Sequence, residues 1–506
     1  MMDILELEGA VLASMLARRD LSAAEVMEAC LDRIEAANGA VNAVVALQDR
    51  EALMDAARGA DNRAPKGPLH GMPIAVKDLA NVAGIPTTMG SPLMRNFVPK
   101  SDTLAIGRMR EAGAIFIGKT NSPEFGLGSH TVNPVYGATH NPYCHGKSAG
   151  GSSGGAAAAL AARMQWLCDG SDMMGSLRNP AGWNNVYGFR PTYGRIPGEP
   201  LGDQYMHPLA TYGPMARTVR DLALLLDVMS GPDPRVPFSA PREAVLPHLE
   251  ADVAGRRIGW LGDWGGAMAM EDGVIETCEA GLAGFTQAGC TVEAAPPPFD
   301  AEQIWRAWID LRAYANAARI APFYNDPDKR KLLRDDVIWE VERGMALSGA
   351  QVQAASNIRS AWFAAAAKML QTYDAVVLPT AQVWPFDVEI MHPKQIAGRA
   401  MQTYHHWMEA TLPASLLGLP AMGMPCGFGA AGLPMGLQLI GPWMGDLGVL
   451  QIGHAYHQVT QYPQRFAPAL ARAERRILDK PLTPRENCAR LARARVDLRP
   501  KTGSAL

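Results

Sequence analysis

Short apolar runs alternating with longer stretches of helical periodicity predict an α/β fold for this chain of 506 residues. Between His70 and Asn141 the runs P-I-A-V (Pro73–Val76) and A-I-F-I (Ala114–Ile117) are bounded by Gly, Pro and Asn, with the helical D-T-L-A-I-G-R-M-R-E-A between them. A-V-V-L-P-T at Ala375–Thr380, then P-A-M-G-M-P and M-G-L-Q-L-I-G within Pro420–Gly441, return the chain to the sheet and close one α/β core. With hydrophobic residues at 48% and charged residues at 19%, nothing limits the size of that core.

Taken in order, residues 1–60 read as a helical entry segment. From Leu5 to Leu47 apolar residues recur at helical spacing around Ser22 and Asn38, which predicts helix, turn and helix with Ser22 as N-cap. Residues 61–470 read as the α/β core. Within it, A-A-A-A-L-A-A-R opens directly from a glycine turn at Gly155, so Ser152 is expected at a helix N-terminus. Residues of about 201–374 are poor in turn motifs and rich in long helical stretches, such as I-W-R-A-W-I-D-L-R-A-Y-A, and predict a helical insertion on the substrate side. Trp305, Trp308, Tyr314, Phe323, Tyr324, Trp339 and Trp362 are expected to pack it against the sheet. The tail 471–506 carries ten basic against four acidic residues between Arg472 and Lys501, the pattern of a solvated helix with a frayed end.

Composition excludes several classes of function. A formal net charge of −3 gives no electrostatic footprint for nucleic acid, so a small-molecule partner is expected. Seven scattered cysteines without a C-x-x-C pair fit neither a disulfide framework nor a zinc ribbon, and suit a reducing compartment. The start M-M-D-I-L-E-L-E lacks the basic and apolar regions of a secretory signal, and the run Ala156–Ala162 is far short of a membrane span. A cytoplasmic protein is expected.

Chemistry concentrates in two serines, each on a glycine-containing turn: Ser152 in G-G-S-S-G-G and Ser176 in G-S-D-M-M-G-S-L-R-N-P-A. A hydroxyl on such a turn, beside exposed backbone N–H groups, suits acyl transfer, because nucleophile and developing oxyanion both need hydrogen bonds. By spacing alone Ser153 could be the displayed hydroxyl instead of Ser152. Apart from Asp172, neither loop holds a histidine or carboxylate placed as a base. Lys77 follows P-I-A-V, where burial would drive it toward its neutral form. Moving its pKa from about 10.4 to near 7 takes roughly 4 to 5 kcal/mol, within the reach of burial.

Two pattern matches point elsewhere. G-A-I-F-I-G-K-T (Gly113–Thr120) satisfies the phosphate-loop expression, but its middle is an apolar strand. G-G-S-S-G satisfies a nucleophile elbow, which needs a preceding strand, and C-H-G-K-S-A-G reads as no strand. His405 and His406, adjacent on an expected helix, point about 100° apart and cannot share a metal.

The chain resembles the amidase signature family over most of its length. The resemblance is carried by G-M-P-I-A-V-K-D-L (Gly71–Leu79), G-K-T-N-S-P-E-F-G (Gly118–Gly126), N-P-Y (Asn141–Tyr143) and both serine loops. It continues in G-F-R-P-T-Y-G-R (Gly188–Arg195), G-P-M-A-R-T-V-R-D (Gly213–Asp221) and G-L-P-M-G-L-Q-L-I-G (Gly432–Gly441). It implies an α/β/α fold around a central mixed sheet, and a Ser-cisSer-Lys triad with Ser176 as nucleophile, Ser152 as proton shuttle and Lys77 as base. A cis peptide bond between Gly151 and Ser152 is implied, as are oxyanion donors from the N–H groups of Met173, Met174, Gly175 and Ser176. Asp172 and Arg178 are expected to brace that loop. Relatives usually carry glycine where this chain has Met174, which reshapes the loop if the position needs positive φ.

Hydrolysis of a carbon-nitrogen amide bond follows, without metal or organic cofactor, in an aryl acylamidase-like or urethanase-like member and as a homodimer. The aromatic insertion suggests aryl or bulky hydrophobic amides, while esters and carbamates share the acyl-enzyme chemistry. The other classes are a tRNA-dependent amidotransferase subunit releasing ammonia from glutamine, and an inactive scaffold.

Overall fold

The computed structural model of the protein describes residues 3–472, so the basic tail lies outside the described residues from 473 onward. Helices α1 (Gly9–Arg18) and α2 (Ala23–Val41) meet at Ser22, whose hydroxyl accepts from Glu25 N (3.1 Å) while Ser22 N donates to Glu25 Oε2 (2.8 Å). That reciprocal pair satisfies two helix-end donors, as the N-cap reading requires. Asn38 does not mark a turn. It lies within α2, and its side chain accepts from Ala43 N and Val44 N to fold the chain back after Asn42.

Strand β1 (Val44–Val45), helix α3 (Arg50–Asp61), strand β2 (Pro73–Lys77), helix α4 (Leu104–Glu111) and strand β3 (Ile115–Thr120) come next. They form a three-stranded sheet in the order β1-β3-β2, with β2 parallel to β3. All five residues of β2 are buried, so P-I-A-V-K is a continuous buried run rather than an alternating one. Two ribbons follow: β4 (Val132–Asn133) with β5 (Gly137–Ala138), and β6 (His140–Asn141) with β7 (Cys144–Ser148). The segment C-H-G-K-S is thus a strand after all. It pairs with β6 and, through Lys147, bridges Asp387, so it needs no apolar alternation to form.

Helix α5 (Gly154–Ala161) leaves the glycine turn and is buried along its whole length. After it come β8 (Leu167–Asp172), α6 (Arg178–Trp183), β9 (Tyr187–Arg190), β10 (Thr211–Ala216), α7 (Val219–Met229), β11 (Arg257–Trp260), α8 (Val274–Gly281), α9 (Ala283–Gln287) and β12 (Thr291–Ala294). A helical layer of α10 (Ala301–Tyr324), α11 (Pro327–Arg330), α12 (Asp335–Ala346) and α13 (Gly349–Met369) precedes β13 (Ala375–Pro379) and the small pair β14 (Gln395–Ile396) and β15 (Arg399–Ala400). The described chain ends with α14 (Leu412–Leu417), β16 (Ala421–Phe428), β17 (Pro434–Ile440), α15 (Asp446–Thr460), α16 (Tyr462–Arg465) and α17 (Ala469–Arg472).

Eight strands form the central mixed sheet in the order β12-β11-β13-β17-β16-β9-β10-β8, flanked by helices. Strand β11 runs parallel to β12 and β13, and the remaining neighbours pair antiparallel. The region of about 201–374 therefore supplies three sheet strands and helices α7, α8 and α9 before its helical layer begins at Ala301. Those strands are four to six residues long and include Gly, Pro and Trp, too short for a periodicity to register.

The smaller sheet meets the larger at β2 and β8 through side chains. Ala75 N donates to Gln165 Oε1 (2.8 Å) and Lys77 N to Asp169 Oδ1 (2.9 Å), so polar side chains complete the edge where no backbone ladder runs. In the helical layer Trp305, Trp308 and Trp362 are buried, whereas Tyr314, Phe323, Tyr324 and Trp339 stay half-buried. His405 and His406 are buried packing groups, with Trp305 stacked on the His406 ring at 4.2 Å. No helix among the described residues is long and apolar enough to cross a membrane.

Candidate active site

Lys77 ends β2 with only 1% of its surface exposed. Its Nζ donates to Ser153 Oγ (2.7 Å), Ser152 Oγ (2.8 Å) and Ser171 Oγ (3.1 Å), and lies 3.3 Å from Ser171 O. Burial, opposed by Asp169 and Asp172, lowers its pKa to about 7. The amine can therefore be neutral near neutral pH, the condition for a base.

The peptide bond Gly151–Ser152 is cis. Ser152 and Ser153 both reach Lys77, so the two candidate hydroxyls share the amine. Their surroundings differ. Ser153 is fully buried with its Oγ beneath Gly170, where an added Cβ would lie 2.8 Å away. Ser152 Oγ instead lies beside Gly126, 3.6 Å from where a Cβ would stand. The second loop is tied to the first by Ser153 N donating to Ser176 O (3.2 Å). Ser176 keeps 7% exposure, and its hydroxyl makes no hydrogen bond to Ser152 or to any other described residue. Such contacts commonly tighten only once substrate is bound.

Asp172 organises the loop before Ser176. Its Oδ1 accepts from Gly175 N (2.9 Å) and its Oδ2 from Leu177 N (3.1 Å), while Arg178 donates through Nε (3.0 Å) and Nη2 (3.1 Å), and Arg190 Nη1 adds 3.2 Å. Burial alone would raise this carboxyl's pKa, but the Arg178 and Arg190 guanidiniums hold it well below the usual range. Asp172 and Arg178 thus brace the loop as charged partners. Gly175 takes φ of +81°, and an added Cβ there would come within 2.5 Å of Thr411 Cγ2. Neither Met173 nor Met174 has positive φ, so the methionines do not strain the loop.

Of the four expected oxyanion donors, the Gly175 N–H is turned away to Asp172. The N–H groups of Met173, Met174 and Ser176 bond to no described residue. Met174 is buried in the core and Met173 half-buried, its Sδ 3.8 Å from Arg312 Nη1 on α10.

Sequence reading missed Asp169, Ser171, Arg190 and Arg312. Asp169 and Ser171 were within reach, because they alternate on one face of β8 and so point together toward Lys77. Arg190 lies within G-F-R-P-T-Y-G-R, but nothing in that run shows its reach to Asp172, and Arg312 comes from a distant segment that no local pattern marks.

Known proteins resemble this chain over most of its length. The amidase family model matches residues 25–450. An acylamidase of Rhodococcus erythropolis is 34% identical over 464 residues, covering 90% of this chain and 95% of the relative. A glutamyl-tRNA(Gln) amidotransferase chain of Salinispora arenicola is 35% identical over 487 residues, covering 88% and 96%. The crystal structure of a bacterial aryl acylamidase of the amidase signature enzymes superposes with a TM-score of 0.85 at 27% identity, covering 92% of this chain and 99% of that one. Two serine loops around a buried lysine, together with a family match over most of the chain, place this protein in the amidase signature family, whose members hydrolyse amide bonds with a serine nucleophile.

Proposed function

We propose that Ser176 attacks the amide carbonyl, that Ser152 relays its proton to Lys77, and that the substrate is an aryl or bulky hydrophobic amide. The observation that carries the reading is the buried Lys77 amine, its pKa near 7, bonded to the Ser152 hydroxyl beside the Ser176 loop. Attack would form a tetrahedral oxyanion within reach of the Met173, Met174 and Ser176 N–H groups. The proton held by Lys77 would return through Ser152 to the leaving amine, and water would then release the acid by the same relay. Ser152 suits the shuttle better than Ser153, because Ser153 is walled in beneath Gly170.

Likeness to an aryl acylamidase supports an aryl substrate, as does the stack of Phe323 on Phe125 at 5.6 Å, one residue from Gly126. The amidotransferase relatives support a second reading, in which the chain releases ammonia from glutamine for partner chains. Purified protein is expected to hydrolyse a chromogenic anilide unaided, and Ser176→Ala to lower kcat by about 10³-fold or more and abolish fluorophosphonate labelling. Glutaminase activity that appears only with added partner chains, and no anilide hydrolysis, would sink the first reading.

A further inference from the structure

The helical layer sends a second guanidinium toward the serine loops. Arg319 on α10 donates through Nη2 to Phe125 O (3.1 Å) and sits 3.4 Å from Asn316 Oδ1. Phe125 precedes Gly126, whose Cβ position is 3.6 Å from Ser152 Oγ, so Arg319 Nη2 lies no more than about 11 Å from that hydroxyl by standard backbone lengths. The Arg319 side chain is exposed to solvent.

Arg319 forms no ion pair among the described residues. The nearest candidate is engaged elsewhere: Glu340 accepts from Arg312 Nε (2.7 Å), Asn316 Nδ2 (3.0 Å) and Tyr404 OH (2.7 Å). Asn316 thus touches both the neutralised pair and the unneutralised guanidinium. Arg319 Nε and Nη1 donate to no described residue. The reaction groups supply no counter-charge, because Asp172 faces two arginines of its own. A guanidinium with free donors in a planar fork matches a carboxylate.

We infer that Arg319 is a substrate-binding residue that receives a carboxylate on the amide substrate, away from the scissile bond. This rests on Ser176 as nucleophile and narrows the substrate class to amides whose acyl or amine part is anionic.

The test compares matched anilides with purified protein. One series carries a terminal carboxylate on acyl chains of increasing length, a second carries it on the aniline ring, and each is paired with its uncharged methyl ketone isostere. In at least one series the carboxylate is expected to be preferred in kcat/KM by about 10-fold or more, as suits a charge-assisted hydrogen bond. Arg319→Gln should raise KM for the preferred acid and bring the ratio close to one, leaving the isostere within about threefold, while Arg319→Lys keeps part of the preference. No preference in either series would overturn the inference, as would an Arg319→Gln loss shared equally by acid and isostere. Should Arg319→Gln fail to fold, the wild-type ratio and Arg319→Lys decide. Hydrolysis surviving Ser176→Ala would instead overturn the nucleophile, a separate outcome.

Discussion

Lys77 shows how one buried side chain sets a pH response. Its pKa of about 7 leaves the amine neutral above that pH, so kcat/KM is expected to rise tenfold per unit below about 7 and level off above it. A profile flat from acid to alkaline pH would remove Lys77 as the base. The same shift governs stability. Because the folded pKa lies below the ordinary value of 10.5, the unfolded chain binds more protons between about 7 and 10.5, and unfolding free energy gains about 1.4 kcal/mol per pH unit from this group across that window. Denaturant titrations of wild type and Lys77→Met at pH 7 and 10 would show stability changing with pH more favourably in wild type by this amount. Lys77 and the two serine turns were legible because lysine after an apolar run and serine in a glycine turn are local patterns, while the choice of Ser152 over Ser153 came from the family resemblance. The direction of the Gly175 N–H was not, since it depends on where Asp172 points.

At the scale of elements, the nucleophile loop is held by how closely α6 lies on the sheet. An added Cβ at Gly182 would come within 2.3 Å of Thr380 Oγ1, and one at Gly436 within 2.5 Å of the Gly182 Cα. From β16, a Cβ at Gly423 would reach within 2.5 Å of Arg178 Cα. Contacts this short leave no room for a methyl group. Gly182→Ala is therefore expected to push α6 outward, to destabilise by about 1 to 3 kcal/mol, and to lower kcat through the displaced Ser176 loop. Thermal unfolding and steady-state kinetics on one preparation would check both effects, and unchanged kcat would show that α6 does not set the loop. The sequence shows these glycines but not their shared purpose, because each meets a neighbour far along the chain. The ribbon strand β7 was missed for a related reason: its partner β6, and not its own pattern, makes it a strand.

Across the whole molecule, a buried ion pair inside the helical layer holds the arginine through which that layer reaches the catalytic half. Arg312 on α10 binds Glu340 on α12 at 2.7 Å and Tyr404 OH at 2.6 Å, and approaches Met173 beside the nucleophile. Burial alone would raise the Glu340 pKa, but chiefly Arg312 overrides it and holds the carboxyl at about 2. With the folded value below the ordinary 4.5, this pair stabilises the fold fully above about 4.5 and loses its contribution as pH falls through about 2. Arg312→Met should destabilise by about 3 to 5 kcal/mol by stranding a buried carboxylate, and Arg312→Met with Glu340→Leu should recover much of that loss in a denaturation series. By itself the sequence determined the α/β class, the serine turns, the lysine and the family, since turn chemistry, strand runs and motif order are written within a few residues. Tertiary structure alone decided the eight-strand order, the second sheet carrying Lys77, the reach of Arg190 to Asp172 and the lack of an ion-pair partner for Arg319 among the described residues. These depend on desolvation and on pairing between residues tens to hundreds of positions apart, and burial, unlike periodicity, has no local signature.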